Sequence, residues 1–79
     1  MIVDEISYNI LRLVSFNNAD ISRLFKTTKY SYATILNRVK ALERMGFLKL
    51  ERDGRKYNIE LTEKGKKAFE CMRFLRGEI

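Results

Sequence analysis

The spacing of apolar residues predicts a helix at each end of the chain. Over residues 2–16 they recur with the period of one helix face, at Ile2, Ile6, Ile10 and Leu13 with Val3 and Val14 beside them. The period returns after Thr62, a suitable N-cap, and runs toward Arg76 at Ala68, Met72, Leu75 and Ile79. Both helices also have apolar residues outside these stripes, namely Tyr8, Leu11, Phe69 and Phe74. This surplus exceeds what one small core requires, and it favours a homodimer built from the two terminal helices.

Two further helices are predicted between the terminal ones. The first, about residues 20–27, is short and offers three apolar residues to the core: Ile21, Leu24 and Phe25. The second begins after Ser31 as its N-cap, because a serine hydroxyl can accept from an otherwise unpaired backbone N–H. Its buried stripe follows the helical period at Ile35, Val39 and Leu42. Gly46 then suits a left-handed C-terminal cap.

Two runs of alternating apolar and polar residues predict a β-hairpin over about residues 47–61. With Asp53-Gly54 as a two-residue turn, the register pairs apolar residues on one face: Leu50 with Tyr57, and Leu48 with Ile59. The same register sets Arg52 opposite Arg55 at the tip. Opposed like charges destabilise a hairpin, and a phosphate between them would remove that cost. Two solvated arginines that splay apart are the alternative.

Length and composition restrict the possible functions. At 79 residues the chain is expected to be one domain, too short for an enzyme with separate substrate and cofactor lobes. It has no histidine and one cysteine, Cys71, so neither an ordinary zinc site nor an internal disulfide is expected. No acid pair or glycine-rich phosphate loop suggests catalysis, and we predict no enzymatic activity, metal or cofactor.

The expected location is the cytoplasm. No apolar run is long enough for a membrane span, and the N-terminal residues lack the basic and apolar regions of a signal peptide. The absence of glutamine and histidine and the charged fraction of 33% suggest a thermophilic source, including a virus of such a host. A viral protein would then act in the host cytoplasm.

The net charge of +6 is concentrated in the middle of the chain. Residues 21–56 include ten basic and three acidic residues, a charge of +7, which leaves −1 for the remainder. A concentrated basic segment fits a polyanionic partner, because phosphate neutralisation with counterion release provides most non-specific affinity for nucleic acids. The alternative, a solubilising surface, does not require the charge to lie in one segment.

The order helix, helix, helix, hairpin, helix resembles the winged helix-turn-helix DNA-binding domains of MarR-like and ArsR-like transcription regulators. The most telling segments are YSYATILNRVKALERMGFL and RDGRKYNIELTEKGKKAF, which look like a recognition helix followed by a wing and the start of the next helix. The resemblance covers nearly the whole chain. It implies an α+β, mainly α, single domain over residues 1–79, with a wing at about 47–61 and a C-terminal helix at about 62–76. It also implies a helix in the major groove and a wing on the backbone or minor groove.

The predicted DNA contacts lie mainly on the third helix. Asn37 can pair bidentately with adenine and Arg38 with guanine, while Lys40 and Arg44 are expected to meet phosphates. Near the start of the helix, phosphates or a thymine methyl are within reach of Ser31, Tyr32 and Thr34. Predicted contacts of the wing are Arg52, Arg55 and Lys56, and further contacts to the DNA backbone are Arg23, Lys29 and Tyr30.

Together these features predict sequence-specific binding of double-stranded DNA by a transcription regulator. A homodimer would present two basic segments to a pseudo-palindromic site. The alternative is a winged-helix module that mediates protein–protein or RNA interaction, since a fold does not determine its function. Such a module would have the third helix covered by a partner subunit.

Overall fold

The computed structural model describes residues 5–16 and 19–77. Its elements in chain order are α1 (Glu5–Phe16), β1 (Ala19–Asp20), α2 (Ile21–Thr28), α3 (Tyr32–Arg44), β2 (Leu48–Asp53), β3 (Lys56–Leu61) and α4 (Glu63–Arg76). Three helices, an antiparallel hairpin and a C-terminal helix confirm the predicted fold class. Three residues of the predicted stripes lie outside the described residues: Ile2, Val3 and Ile79. Within the described residues, no helix is long and apolar enough to cross a membrane.

Side-chain caps fix the starts of three helices. The hydroxyls of Ser31 and Thr62 accept from the backbone N–H of Thr34 at 3.1 Å and of Gly65 at 2.9 Å, which confirms both predicted N-caps. Asp20 was predicted as the first residue of α2 but is its N-cap, because its carboxylate accepts from the N–H of Arg23 at 2.7 Å.

A Schellman motif ends α3 at the predicted glycine. Gly46 has a φ of +84° and donates its N–H to the carbonyl of Glu43 at 2.9 Å, while Phe47 donates to Leu42 at 3.0 Å. These two bonds satisfy carbonyls that the end of the helix leaves without partners. The chain therefore turns sharply from α3 into the first strand of the hairpin.

The core confirms the predicted stripe of α3 and corrects the stripes of the terminal helices. Ile35, Val39 and Leu42 are buried, as are residues of every other helix and of both long strands. On α1, however, Tyr8 and Leu11 are buried while Ile6 and Leu13 are only half-buried. The reason is that α1 packs against α3, β3 and α4, so more than one of its faces is covered.

Part of the apolar surplus of the terminal helices is thus buried within the chain itself. Tyr8 stacks on Phe69 of α4 with ring centroids 5.7 Å apart, and Phe69 is buried although it lies outside the predicted stripe. Leu75, which was predicted within that stripe, is exposed. Three large apolar side chains of α1 and α4 stay exposed, with relative accessibilities of 67–72%: Phe16, Phe74 and Leu75.

An ion pair joins the start of α1 to the end of α4. The guanidinium of Arg76 donates to both carboxylate oxygens of Glu5, at 2.8 and 3.0 Å. It also lies 4.1 Å from the ring centroid of Tyr8. The bidentate geometry and the aromatic contact hold the two helices side by side in opposite directions.

Phe25 is not a core residue, contrary to the prediction. The eight-residue helix α2 turns Ile21 and Leu24 inward, and Phe25 is 46% exposed. Its ring lies edge-on to Tyr32 at the start of α3, with centroids 6.4 Å apart. A helix of two turns has room for one narrow buried stripe, and Phe25 falls beside it.

The sheet has three strands in the order β1-β3-β2, one more than predicted. Strand β1 pairs antiparallel with β3, Ala19 opposite Ile59 and Asp20 opposite Asn58. Two residues are too few to show an alternating pattern, so the sequence contained no signal for this strand. By pairing with β3, β1 connects the start of α2 to the hairpin.

The predicted hairpin register was wrong by two residues. The loop is Gly54-Arg55, which sets Leu50 opposite Ile59 and Leu48 opposite Leu61. Glycine at the first loop position with a φ of +63° is typical of a type II′ turn. The predicted register would have set Leu61 opposite Gly46, which precedes β2. The observed register instead pairs Leu61 with the apolar Leu48. A two-residue shift keeps the same side chains on the same face, so the predicted apolar face is retained.

Arg52 consequently lies opposite Tyr57, and Asp53 lies opposite Lys56. The predicted opposition of Arg52 and Arg55 does not occur, because Arg55 belongs to the loop. The hairpin therefore has no cross-strand repulsion between these two arginines for a phosphate to relieve.

The base of the hairpin is fastened to α4 through backbone groups. Thr62 donates its N–H to the carbonyl of Phe47 at 3.1 Å and its hydroxyl to the carbonyl of Gly46 at 2.6 Å. Gly65 is buried against this junction. A side chain there would overlap the carbonyl oxygen of Phe47, with its Cβ 2.9 Å from the carbonyl carbon.

Gly65→Ala should therefore lower the free energy of unfolding by about 1–3 kcal/mol, although alanine is the better helix former. The backbone of Phe47 must move to make room for the methyl group. Urea denaturation followed by circular dichroism measures the change. Lys67→Ala, exposed on the same helix, serves as the control and should change stability by less than about 0.5 kcal/mol. A more stable Gly65→Ala variant would contradict the close packing.

Candidate nucleic-acid interface

The side of α3 opposite the core carries an exposed polar stripe without acid. Its members recur at helical spacing, and we call them the outer stripe: Ala33, Asn37, Lys40 and Arg44. All four are exposed. The one acid of the helix, Glu43, is exposed outside the outer stripe, about 60° around the helix axis from Lys40 and about 100° from Arg44 by helical spacing. The outer stripe therefore presents amide and cationic groups from the middle of α3 to its C-terminal end.

The N-terminal end of α3 is held by its own hydroxyl groups. Besides capping the helix, Ser31 donates its hydroxyl proton to Oγ1 of Thr34 at 2.8 Å. Both residues were predicted DNA contacts, and in the structure they are occupied with each other. Tyr32, by contrast, is 46% exposed at the first position of the helix.

Arg38 does not lie on the outer stripe. It follows Asn37 by one residue, a rotation of about 100° around the helix axis, and it is half-buried on the flank that faces α1. There it lines a depression of about 290 Å³ together with Ser7, Ala41, Arg44 and Met45. The structure thus brings Arg38 close to Arg44 and separates it from Asn37, its predicted companion in base contacts.

The turn between α2 and α3 is fixed by side-chain hydrogen bonds. Lys29 is exposed in the left-handed conformation with a φ of +66°. The hydroxyl of Tyr30 accepts from the side-chain amide of Asn9 at 2.9 Å, and that of Thr28 donates to the carbonyl of Leu24 at 2.7 Å. Tyr30, a predicted contact to the DNA backbone, is half-buried and links this turn to α1, while Lys29 and Arg23 are exposed.

The hairpin of β2 and β3, which we call the wing, has an exposed and basic tip. Arg52, Arg55 and Lys56 are all exposed. The Nε of Arg52 donates to the carbonyl of Gly54 at 3.1 Å, and its guanidinium lies 5.9 Å from the ring of Tyr57. These contacts hold the Arg52 side chain along the wing, with exposed charge at the tip.

Farther from the tip, the wing pairs its charges internally. The ammonium of Lys49 lies 3.0 Å from the carboxylate of Glu51. The hydrogen bond to Glu51 and its negative charge raise the pKa of Lys49. Both side chains are more than half exposed, so this pair contributes little to stability. Its effect is to neutralise the middle of the wing.

One residue at this surface was missed by sequence reasoning. Phe25 was expected in the core but lies exposed next to Tyr32, at the end of α3 that begins the outer stripe. The available signal was the spacing of Ile21, Leu24 and Thr28, which by themselves complete the inward side of a two-turn helix.

Comparison with protein-family models identifies the family. The model described as the DUF6293 C-terminal winged helix domain matches residues 8–73. The chain therefore belongs to this winged-helix family. No curated protein matches the sequence significantly.

Solved structures confirm at the level of the fold the resemblance to MarR-like regulators. The transcriptional regulator BldR from Sulfolobus solfataricus superposes with a TM-score of 0.88 at 23% identity, over 95% of this chain and 57% of BldR. A MarR transcriptional regulator from Methanosarcina mazei gives 0.84 at 22% identity, over 96% and 58%.

A third similar structure is BpsR from Bordetella bronchiseptica, whose DNA binding is regulated by 6-hydroxynicotinic acid. It gives a TM-score of 0.82 at 20% identity, over 89% of this chain and 52% of BpsR. The chain thus spans little more than half the length of these three proteins. At these identities the similarity is one of fold.

Proposed function

We propose that this chain binds double-stranded DNA sequence-specifically, as a transcription regulator that acts as a homodimer on a pseudo-palindromic site. The observation that carries the proposal is the exposed, acid-free outer stripe of α3, next to a wing with a basic tip. The description of BldR as a transcriptional regulator and of BpsR as a DNA-binding protein supports it. Such a regulator acts where the DNA is, in the cytoplasm, or in the host cytoplasm if the chain is viral.

In this proposal α3 lies in the major groove with its outer stripe toward the bases. There each base pair presents a distinct pattern of donors and acceptors. The amide of Asn37 can donate to and accept from one adenine edge, and the small side chain of Ala33 allows a close approach. Lys40 and Arg44, farther along the helix, are assigned to phosphates on the groove wall.

The remaining basic residues are assigned to the DNA backbone. Arg38 leaves the helix on its flank, so we propose a phosphate contact for it in place of the predicted guanine. Arg23 and Lys29 extend the basic surface to α2 and the following turn. Arg52, Arg55 and Lys56 are proposed to reach phosphates or the adjacent minor groove from the tip of the wing. Such contacts set position and affinity, while α3 sets the sequence preference.

The homodimer is proposed to form through α1 and α4. Phe16, Phe74 and Leu75 are exposed on these helices. By helical spacing, Phe74 projects opposite the buried side of α4 defined by Phe69 and Met72. A second copy is the proposed occupant because a two-fold axis at α4 would cover both apolar surfaces and present two α3 helices to one duplex.

The decisive experiment selects bound duplexes from a random pool with the full chain. We expect an enriched pseudo-palindrome whose half-sites lie about 10–10.5 base pairs apart, or a multiple of this, as for other dimeric helix-turn-helix proteins. A pool without enrichment would refute sequence-specific recognition. Binding to RNA or to a protein in that case would favour the alternative module.

Asn37→Ala should weaken binding to the selected duplex by about 1–3 kcal/mol and relax the preference for one base pair. Arg38→Ala is the matched comparison and should weaken selected and scrambled duplexes equally, because it is assigned to a phosphate. Fluorescence anisotropy at one salt concentration measures both. Equal losses for Asn37→Ala on the two duplexes would assign it to the backbone.

Replacing Arg52 and Arg55 together by alanine should reduce the slope of log Kd against log salt by about one to two units, since each phosphate contact contributes about 0.9. Titrations at several salt concentrations give the slope. Lys66 and Lys67, replaced together on α4, remove the same charge away from the tip of the wing and should leave the slope unchanged. If both double variants behave alike, the wing does not contact DNA.

Phe74→Ser combined with Leu75→Ser should convert the dimer to a monomer, because it removes apolar surface that a second copy is proposed to cover. Sedimentation velocity at micromolar concentration measures the change. Phe25→Ala removes an exposed aromatic ring on α2, outside the proposed interface, and should leave the dimer intact. A wild-type chain that is monomeric both free and on DNA would contradict the proposed assembly.

A further inference from the structure

Within residues 5–16 and 19–77, the large exposed apolar side chains fall into two groups. Phe16, Phe74 and Leu75 lie on α1 and α4, where the second copy is proposed to bind. Phe25 and Tyr32 lie at the corner between α2 and α3, each 46% exposed. A surface on α1 and α4 does not account for this second group, in which Tyr32 directly precedes Ala33, the first residue of the outer stripe.

The two rings form one unit. Their planes make an angle of 66° and their centroids are 6.4 Å apart, an edge-to-face arrangement. One ring is attached to α2 and the other to α3, and the turn between these helices is fixed by the hydrogen bonds of Thr28. The pair is therefore a preformed apolar surface that would lose little conformational entropy on binding.

The surroundings of the pair are polar and basic. Phe25 is followed directly by the exposed Lys26 and Tyr32 is preceded directly by the exposed Ser31, and Lys29 is exposed in the turn between them. An apolar pair within such a rim fits a partner that offers a small apolar group close to phosphates. In the major groove of DNA, the apolar group displayed at the base edges is the C5-methyl group of thymine.

We propose that Phe25 and Tyr32 together form a contact surface for a thymine methyl group at the edge of each half-site. The inference rests on the proposed DNA binding and adds a residue of α2 to the specificity determinants. Phe25 supplies the apolar contact. Tyr32 holds the ring of Phe25 in place and widens the apolar surface. Removing one buried methyl-sized group should weaken binding about fourfold.

The test uses the selected duplex with each thymine replaced in turn by deoxyuridine, which lacks only the methyl group. For the wild-type chain, one position per half-site should show a loss of about fourfold. For Phe25→Ala that loss should disappear, while its remaining affinity still exceeds that for a scrambled duplex. Thermal unfolding confirms that the variant is folded, and Phe25→Leu, which retains apolar volume, should keep part of the methyl effect.

Tyr32→Phe separates the ring from its hydroxyl. It should keep the whole methyl effect, because only the ring is assigned to the contact. As a direct measurement, 5-iodouracil at the sensitive position should crosslink under ultraviolet light to the peptide that contains Phe25 or Tyr32.

Three outcomes would overturn the inference while leaving DNA binding intact. These are no sensitivity to deoxyuridine at any position, an equal methyl effect in wild type and Phe25→Ala, and crosslinking to residues outside α2 and the start of α3. A random pool that yields no preferred duplex would instead refute the proposed function, and the two failures are thereby distinguished.

Discussion

The backbone of Phe47 is the point on which the relative placement of three elements depends. Its N–H closes the end of α3 by donating to Leu42, and its carbonyl accepts from Thr62 at the start of α4. Gly65 packs against the same carbonyl with no room for a side chain. Because Phe47 directly precedes β2, this junction sets the angle between α3 and the wing. A helix in one groove and a hairpin on the adjacent backbone can contact the same duplex only if that angle is fixed.

The sequence predicted helices and faces better than it predicted pairings. The period of Ile35, Val39 and Leu42 located the buried side of α3, and the caps at Ser31 and Thr62 located two helix starts. On α1 the predicted stripe was too narrow, because a helix covered on several sides has no single apolar face. In the wing, alternation determines which face is apolar but not the register, which depends on the conformation of Gly54.

For the surface of α3, the chemical composition was predictable from the sequence, whereas the accessibility of the individual side chains was not. Its polarity and its shortage of acid were visible in the sequence, but the sequence did not show which side chains are free to meet a ligand. Arg38 is half-buried beside α1, and the hydroxyl of Tyr30 is bonded to Asn9. Phe25, in contrast, was expected inside and is exposed. Each difference arises from a contact between residues far apart along the chain or from the short length of α2, and a local pattern does not specify either.

The ion pair between Glu5 and Arg76 has a topological consequence. It brings the first turn of α1 and the last turn of α4 within hydrogen-bonding distance. The start of α1 and the end of α4 therefore lie at nearly the same place. A linker of a few residues would suffice to join the end of α4 to the start of α1. New chain termini could then be placed in the exposed loop at Gly54-Arg55. The architecture is in this sense suited to circular permutation, and equally to insertion as a module between two segments of another chain.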